Sequence, residues 1–380
     1  MGKNVWMLAV AVTVVVLVVV WLIWDRARAE SEPIRIGAVL PLSGRSAPLG
    51  RGQRCALELA QEKINAEGGI RGRTLEFIFE DSQGKGTVGA AAARKLIDRH
   101  RVRILFTFPC EVVYAVQPVT DKAGVLLMAF AMDPRICRAS PLTFQVFPNL
   151  AQQTDVLLQH LERSEPGRAA VIYMDAAAPG YAVPTLLVPG LKARGWNVAA
   201  VIPLKRKDAD LKPQVAKLKA SNPDLVITFT SPAFIPPILR NLQQQGLLGK
   251  VKILGGPGYT FPLKVAPEML EGVEFVAPTY ALRDSKREPL GSFEKQYKER
   301  CGRVPPFGSA FFFDGAMLVA EALKQKGDAI SGVRQYLTTV KDYRGVSGSI
   351  SIDDSGDTTV DMAMGLFRSG KITRVQEKGD

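Results

Sequence analysis

The chain has 380 residues, 47% of them hydrophobic, which is enough for two domains with real cores. Its formal charge is +12, yet the Lys and Arg residues are scattered, and no dense basic tract with interleaved aromatics marks a nucleic-acid binder. Two His and four Cys, with no Cys-x-x-Cys, His-x-x-x-His or His-Glu-x-x-His spacing, exclude the common zinc arrangements.

The N-terminus opens with an apolar run, Val5 to Trp24, whose one polar member is Thr13. It is long enough to span a bilayer as a helix. Lys3 precedes it, Asp25, Arg26 and Arg28 follow, and Trp6, Trp21 and Trp24 stand near its ends, where interfacial aromatics belong. Two readings of residues 1–29 stand side by side. Ala27-Arg28-Ala29 fits a signal-peptidase site, whereas the run exceeds the usual signal core and favours an uncleaved anchor. No Cys follows directly, so a lipoprotein anchor is not expected. Either way the body is exported, and disulfides are permitted.

A first block, 33–150, alternates strands and helices. Strands are expected at Ile34–Leu40, Thr74–Phe79, Ile104–Phe106 and Leu126–Phe130, and helices at Arg51–Ala66, Thr87–His100 and Tyr114–Ala123. Gly68 and Gly69 can adopt the positive φ that stops a helix, and Ile70 can fold back over the last turn. The alternation of Leu75, Phe77 and Phe79 with Glu76, Ile78 and Glu80 reads as a strand near a sheet edge. A second block, 151–280, repeats the pattern: helix Thr154–Glu162, strand Ala169–Met174, helix Pro184–Arg194, strand Val198–Pro203, helix Leu211–Ala220, strand Leu225–Phe229, helix Phe234–Gln245, strand Val251–Gly255. Helices at Leu290–Arg300, Ala310–Lys324 and Ser331–Thr339 follow. Such a repeat predicts two α/β lobes, each a doubly wound parallel sheet.

The string Ile64-Asn65-Ala66-Glu67-Gly68-Gly69-Ile70-Arg71-Gly72, preceded by Pro41-Leu42-Ser43-Gly44 and followed by a strand ending Glu80-Asp81, resembles the type I periplasmic binding proteins, most closely the leucine/isoleucine/valine-binding branch. Gly348-Ser349-Ile350-Ser351-Ile352-Asp353-Asp354-Ser355-Gly356-Asp357 is similar to that family's late hairpin, and Asp354-Ser355-Gly356-Asp357 carries the turn chemistry it needs. The resemblance spans about Pro33 to Thr373. It implies two lobes joined by a three-segment hinge, with lobe 1 at 33–150 plus 281–345 and lobe 2 at 151–280 plus 346–375. It also implies a periplasmic protein, anchored to the outer face of the cytoplasmic membrane or cleaved and free. Such a protein closes on a small molecule and delivers it to an ABC-type permease, with no cofactor. A sensing module for a receptor or regulatory partner, and an accessory protein with a degenerate cleft, remain as alternatives.

In a doubly wound sheet ligands bind beyond the carboxyl ends of the strands. The loops that should face the cleft are therefore Pro41–Leu49, which holds Ser43, then Pro109–Tyr114, Ala131–Arg135, Asp175–Tyr181, Thr230–Phe234 and Gly256–Phe261. In the family, residues after the third and fourth strands hold an amino acid's α-carboxylate and ammonium. By the resemblance Glu111, Ala131 and Asp133 stand there, and of these the small residue alone is kept. Pro179 and Ser231 stand where tyrosines are usual, and Pro257 falls near the acidic partner of the ammonium. Two carboxylates at a carboxylate subsite should repel an aliphatic amino acid. An apolar lining, including Phe108, Tyr114, Phe130, Met132, Tyr181, Phe234, Tyr259 and Phe261, favours a neutral or cationic ligand with an apolar or aromatic body. Taken singly, Phe108 and Phe130 read better as core, and Glu111 and Asp133 read equally as solvated loop carboxylates.

Cys110 and Cys137 follow two neighbouring strands, and a disulfide between them is expected in an oxidising compartment. In leucine-binding relatives the first pairs with a Cys after the second strand, where this chain reads Asp81-Ser82-Gln83. Cys55 reads as a small buried hydrophobe, and Cys301 is unassigned. An enzyme is not indicated. Gly-x-Ser-x-Gly and a P-loop are absent, and His100 and His160 fall on helices away from the cleft loops, at the surface.

Overall fold

The computed structural model describes residues 32–208, 210–282 and 288–375. The apolar run Val5–Trp24, and with it the anchor or signal, lies outside the described residues. Among the described residues no helix is long and apolar enough to cross a membrane.

The first sheet has the order β2-β1-β3-β4-β5 and is wholly parallel: β1 (Ile34–Leu40), β2 (Leu75–Asp81), β3 (Ile104–Thr107), β4 (Leu126–Ala129) and β5 (Thr143–Gln145). β3 and β4 are buried at every position. Helices cover both faces of such a sheet, so its inner strands read as unbroken apolar runs rather than alternating ones. β2 lies at the edge, and Leu75 and Phe77 are the residues it buries. The helix Ala47–Ala66 stops as its glycines require. Gly68 and Gly69 have φ of 92° and 73°, and Gly69 donates to the Ile64 carbonyl at 2.9 Å. A side chain at Gly69 would run into the Arg73 carbonyl. Asn65 then ties the helix end to the next strand: its side chain accepts from Leu75 N at 2.7 Å and donates to Leu75 O at 2.9 Å.

The second sheet has the order β15-β14-β10-β9-β8-β6-β7. Its parallel part comprises β6 (Arg168–Met174), β7 (Asn197–Leu204), β8 (Leu225–Phe229), β9 (Lys252–Gly255) and β10 (Glu274–Pro278). β14 (Met362–Arg368) and β15 (Lys371–Arg374) close one edge antiparallel. A small antiparallel sheet, β11 (Tyr343–Gly345), β12 (Gly348–Ile352) and β13 (Thr358–Val360), accounts for the expected late hairpin.

The cores divide accordingly. Ile350, Ile352 and Val360 are buried with β1–β5 and with helices Leu290–Cys301 and Ser309–Lys326, whereas Ala363 and Phe367 belong to the second lobe's core. The last crossing between lobes thus falls near residue 361 rather than at 345. The small sheet stays with the first lobe because its apolar face is the one Val346, Ile350 and Ile352 bury there. At the crossings the segments bond to one another: Thr279 N donates to Asp361 O at 2.9 Å and the Gln152 side chain to Val360 O at 3.0 Å. Asn149 caps the helix Leu150–Leu161, accepting from Ala151 N at 2.9 Å. His160, on that helix, is mostly buried rather than at the surface; Glu274 and Lys252 gather there, with His160 Nε2 2.6 Å from Glu274.

Candidate ligand cleft

On the first lobe, the loop after β1 is organised by Asp81. Its carboxylate accepts from Leu42 N at 2.9 Å, Ser43 N at 3.2 Å, Gln83 N at 2.8 Å and the Ser43 hydroxyl at 2.6 Å. Burial pulls the Asp81 carboxyl upward, but the Ser43 hydroxyl and the three backbone donors outweigh it and hold the group below the usual carboxylate range. Ser43 therefore serves the loop itself.

Asp133 is fully buried and is not a bare carboxylate. Arg135, two residues on, meets it with two hydrogen bonds, Nε to Oδ1 at 3.0 Å and Nη2 to Oδ2 at 2.7 Å. The Arg135 N–H also donates to Oδ1 at 2.9 Å, an Asx turn over Pro134. The Tyr114 hydroxyl, on helix Cys110–Ala123, gives a further hydrogen bond to Oδ2. Burial raises the Asp133 carboxyl, and the donations from Arg135 and Tyr114 more than reverse this, so it is held below its ordinary value. Burial, together with the hydrogen bond to Asp133, raises the Tyr114 phenol. The Gln145 side chain fixes the same loop, donating to Asp133 O at 2.7 Å.

Arg135 reaches the other lobe. Its guanidinium lies 4.4 Å over the Tyr181 ring, and Nη2 donates to Ala177 O at 3.2 Å. Glu111 likewise faces a cation of the second lobe, Arg206, at 2.7 Å. The two carboxylates expected to stand unpaired at a ligand carboxylate subsite are each matched by an arginine, and the repulsion inferred from them does not arise. Arg135 was legible as the partner, because an Asp-Pro-Arg turn places residue three beside residue one. Arg206 lies 95 positions from Glu111, and no local signal pairs them.

An open cavity of about 400 Å³ lies where these elements meet, lined by Arg135, Asp175, Ala176, Ala177, Gly180, Tyr181 and Thr185. Of the residues singled out in the sequence as ligand-binding, Tyr181 lines it. Ala131 is buried, and Met132 packs between the two cores. Ser231 is exposed, and Phe234 leans on the second core. Tyr259 is not a cleft residue. It is buried in the second core, stacked on Phe275 with centroids 5.8 Å apart and 3.1 Å from the Thr228 hydroxyl, and burial pushes its phenol up to about 12. Gly255 gives the ring its room, since a side chain there would collide with it. Phe108 and Phe130 pack on each other at 5.3 Å in the first core. Phe261, from the second lobe, lies 4.8 Å from Phe307 of the first.

The disulfide is Cys55–Cys301, not Cys110–Cys137. Cys137 is buried and its thiol turns to the Gly356 carbonyl at 3.3 Å, while Cys110 opens the helix Cys110–Ala123, so neither faces the other. Cys55 and Cys301 meet because helices Ala47–Ala66 and Leu290–Cys301 pack together in the first lobe, although 246 positions separate them. Among the described residues no group of His, Cys, Asp and Glu is arranged to hold a metal ion.

The profile of the periplasmic binding protein family matches residues 33–373. A leucine/isoleucine/valine-binding protein homologue of Brucella suis is 25% identical over 371 residues, covering 92% of each chain. A leucine-binding protein of Thermotoga maritima superposes with a TM-score of 0.77 at 19% identity, over 90% of this chain and 98% of that one. A solute-binding protein of Rhodopseudomonas palustris, solved with 3,4-dihydroxybenzoic acid, gives a TM-score of 0.77 at 21% identity, over 90% and 96%. The match runs over nearly the whole described body, both lobes and the crossings between them included, and the chain belongs to the periplasmic binding protein family, as a type I solute-binding protein of the leucine/isoleucine/valine-binding kind.

Proposed function

We propose that this chain captures a small carboxylic acid between its lobes, outside the cytoplasmic membrane, and delivers it to an ABC-type permease. The observation that carries the ligand class is Arg135. Its Nε and Nη2 bond to Asp133 and Ala177, and the guanidinium, which has five N–H donors, lines the cavity where a guest's carboxylate can meet it. Tyr181 offers a ring face for a flat body, and Asp175 lines the same cavity as an acceptor for a hydroxyl or an ammonium. A hydroxylated aromatic acid, the kind of molecule bound by the Rhodopseudomonas relative, satisfies all three. With Glu111 and Asp133 paired, the sequence argument for a neutral or cationic ligand loses its premise.

The apolar run Val5–Trp24 holds the body to the outer face of the membrane in this reading. Calorimetry on the purified protein tests the ligand. Dihydroxybenzoate or benzoate should bind more tightly than leucine, and Arg135→Ala should abolish the preference. Leucine binding as well as the aromatic acids would overturn it.

A second reading, an accessory protein whose cleft no longer takes a ligand, is favoured by one contact. Phe261, an aromatic position expected to line the cleft, packs instead on Phe307 of the first lobe. Mass spectrometry of small molecules extracted from the protein separates the two readings.

A further inference from the structure

We infer that the pole of the first lobe at the N-terminal ends of its strands is a docking surface for an anionic lipid bilayer. The inference rests on the proposal that Val5–Trp24 is an uncleaved anchor.

In a parallel sheet every strand starts at the same end; here β1 and β2 start side by side, as do β3 and β4, with Leu105 of β3 facing Gly37 of β1. The helices that feed them end at the same pole. Arg99, Arg101 and Arg103 sit at the turn into β3, and Lys122 at the turn into β4. Lys324 and Lys326 join them, because Arg71 donates to the carbonyls of Lys324 and Gln325 at 2.9 and 3.1 Å and so brings the end of helix Ser309–Lys326 to this pole. None of these six cations has an ion-pair partner among the described residues, and all but the half-buried Lys324 are exposed. The carboxylates at this pole are Glu32, Glu67, Asp98, Asp121 and Asp328, and two of them already face cations, Glu67 with Lys63 and Asp328 with Arg73.

The tether selects this pole. Glu32 lies here, its carbonyl held by Arg73 at 2.8 Å. Seven residues, Asp25–Ser31, separate it from Trp24. At full extension they reach about 28 Å, so a run held in the bilayer keeps this pole facing the headgroups. Basic residues near an anionic surface are drawn to it within about a Debye length, roughly 8 Å at physiological salt. The far pole of the second lobe also carries exposed lysines, Lys217, Lys219 and Lys250, but no tether.

The experiment uses the full chain in nanodiscs of neutral phosphatidylcholine, or of phosphatidylcholine with phosphatidylglycerol, and reads lysine acetylation by peptide mass spectrometry. In the anionic discs Lys122, Lys324 and Lys326 should label about fivefold more slowly, the factor matching the attraction per basic residue, while Lys217, Lys219 and Lys250 stay unchanged. Added salt, or the triple substitution Arg99→Glu, Arg103→Glu and Lys122→Glu, should restore labelling of Lys324 and Lys326. Equal labelling in both discs overturns the proposal, and so does protection of both poles. A chain that fails to enter discs of either composition refutes the anchor first. Protection that appears only on adding an acidic protein, in neutral discs, assigns the surface to a protein partner instead and overturns the lipid proposal.

Discussion

The guanidinium of Arg135 lies 4.4 Å over the ring of Tyr181. One residue belongs to the first lobe and the other to the second, so this stack is part of what holds the lobes together. A cation over an aromatic face at a partly exposed site is worth about 0.5–1 kcal/mol. Tyr181→Ala should therefore shift the population toward open forms by a few-fold, whereas Tyr181→Phe should leave it unchanged. Distances between spin labels on the two lobes report the shift. Identical distributions for wild type and Tyr181→Ala would show that the stack is incidental.

Asp133 is buried and its partner Arg135 is half exposed. Asp133→Ala leaves the Arg135 fork and the Tyr114 hydroxyl without their shared acceptor. The cost should be about 2 kcal/mol, less than for a fully buried pair because water screens the arginine. Asp133→Asn keeps an acceptor and should fall between. Since the Asp133 carboxyl is held below its ordinary value, its contribution is present above the unfolded pKa and is lost as pH falls through the lower folded one. Urea denaturation across pH 2 to 6 checks both size and sign.

Asp314 behaves in the opposite sense. It is buried on helix Ser309–Lys326, and desolvation pushes its carboxyl up to about 6, despite hydrogen bonds from the Ser347 hydroxyl at 2.6 Å and from the N–H groups of Ser347 and Val346. Between the ordinary value of 3.8 and this raised one, the folded protein holds a proton that the unfolded chain has released. Stability should therefore fall as pH rises through this window, by about 3 kcal/mol at 1.36 kcal/mol per unit. Asp314→Asn removes the titration. The stability difference between wild type and this variant should change by that amount from pH 4 to 7, and a constant difference would refute the assignment.

Non-reducing peptide maps should recover one linked pair, Cys55 with Cys301, and two free thiols. Cys137, buried at 2% exposure, should resist alkylation until the protein unfolds. Reducing the disulfide should lower stability by about 2–4 kcal/mol. A Cys110–Cys137 peptide in the map would reverse this pairing.

How far the sequence carries depends on range. The Ile64–Gly72 stop was legible because its causes are local: two positive-φ glycines, a buried Ile70, and a hydrophobic alternation beginning ten residues after Asn65. The loops after the strands were legible as the meeting place of the lobes, and Tyr181 does line the cavity there. What failed was orientation and long-range pairing. Whether Tyr259 points into a cleft or a core turns on the room that Gly255 leaves four residues earlier. The partners of Glu111 and Cys55 lie 95 and 246 positions away and are set by the packing of whole elements. Asp133 is the instructive case. Its partner was two residues distant, and a carboxylate in an Asp-Pro-Arg turn should be read with its cation.

Because Cys55 precedes the first crossing and Cys301 follows the second, the bond between them closes a covalent ring that contains the entire second lobe apart from its last two strands. A single cut in the backbone between β7 and β8, in the exposed stretch around Arg206 and Lys207, would leave one molecule rather than two fragments until a reductant is added. The second lobe can then be nicked, or can unfold transiently, without the two chain segments that build the first lobe drifting apart. The first lobe, whose two segments the bond joins, is the one that survives such damage intact.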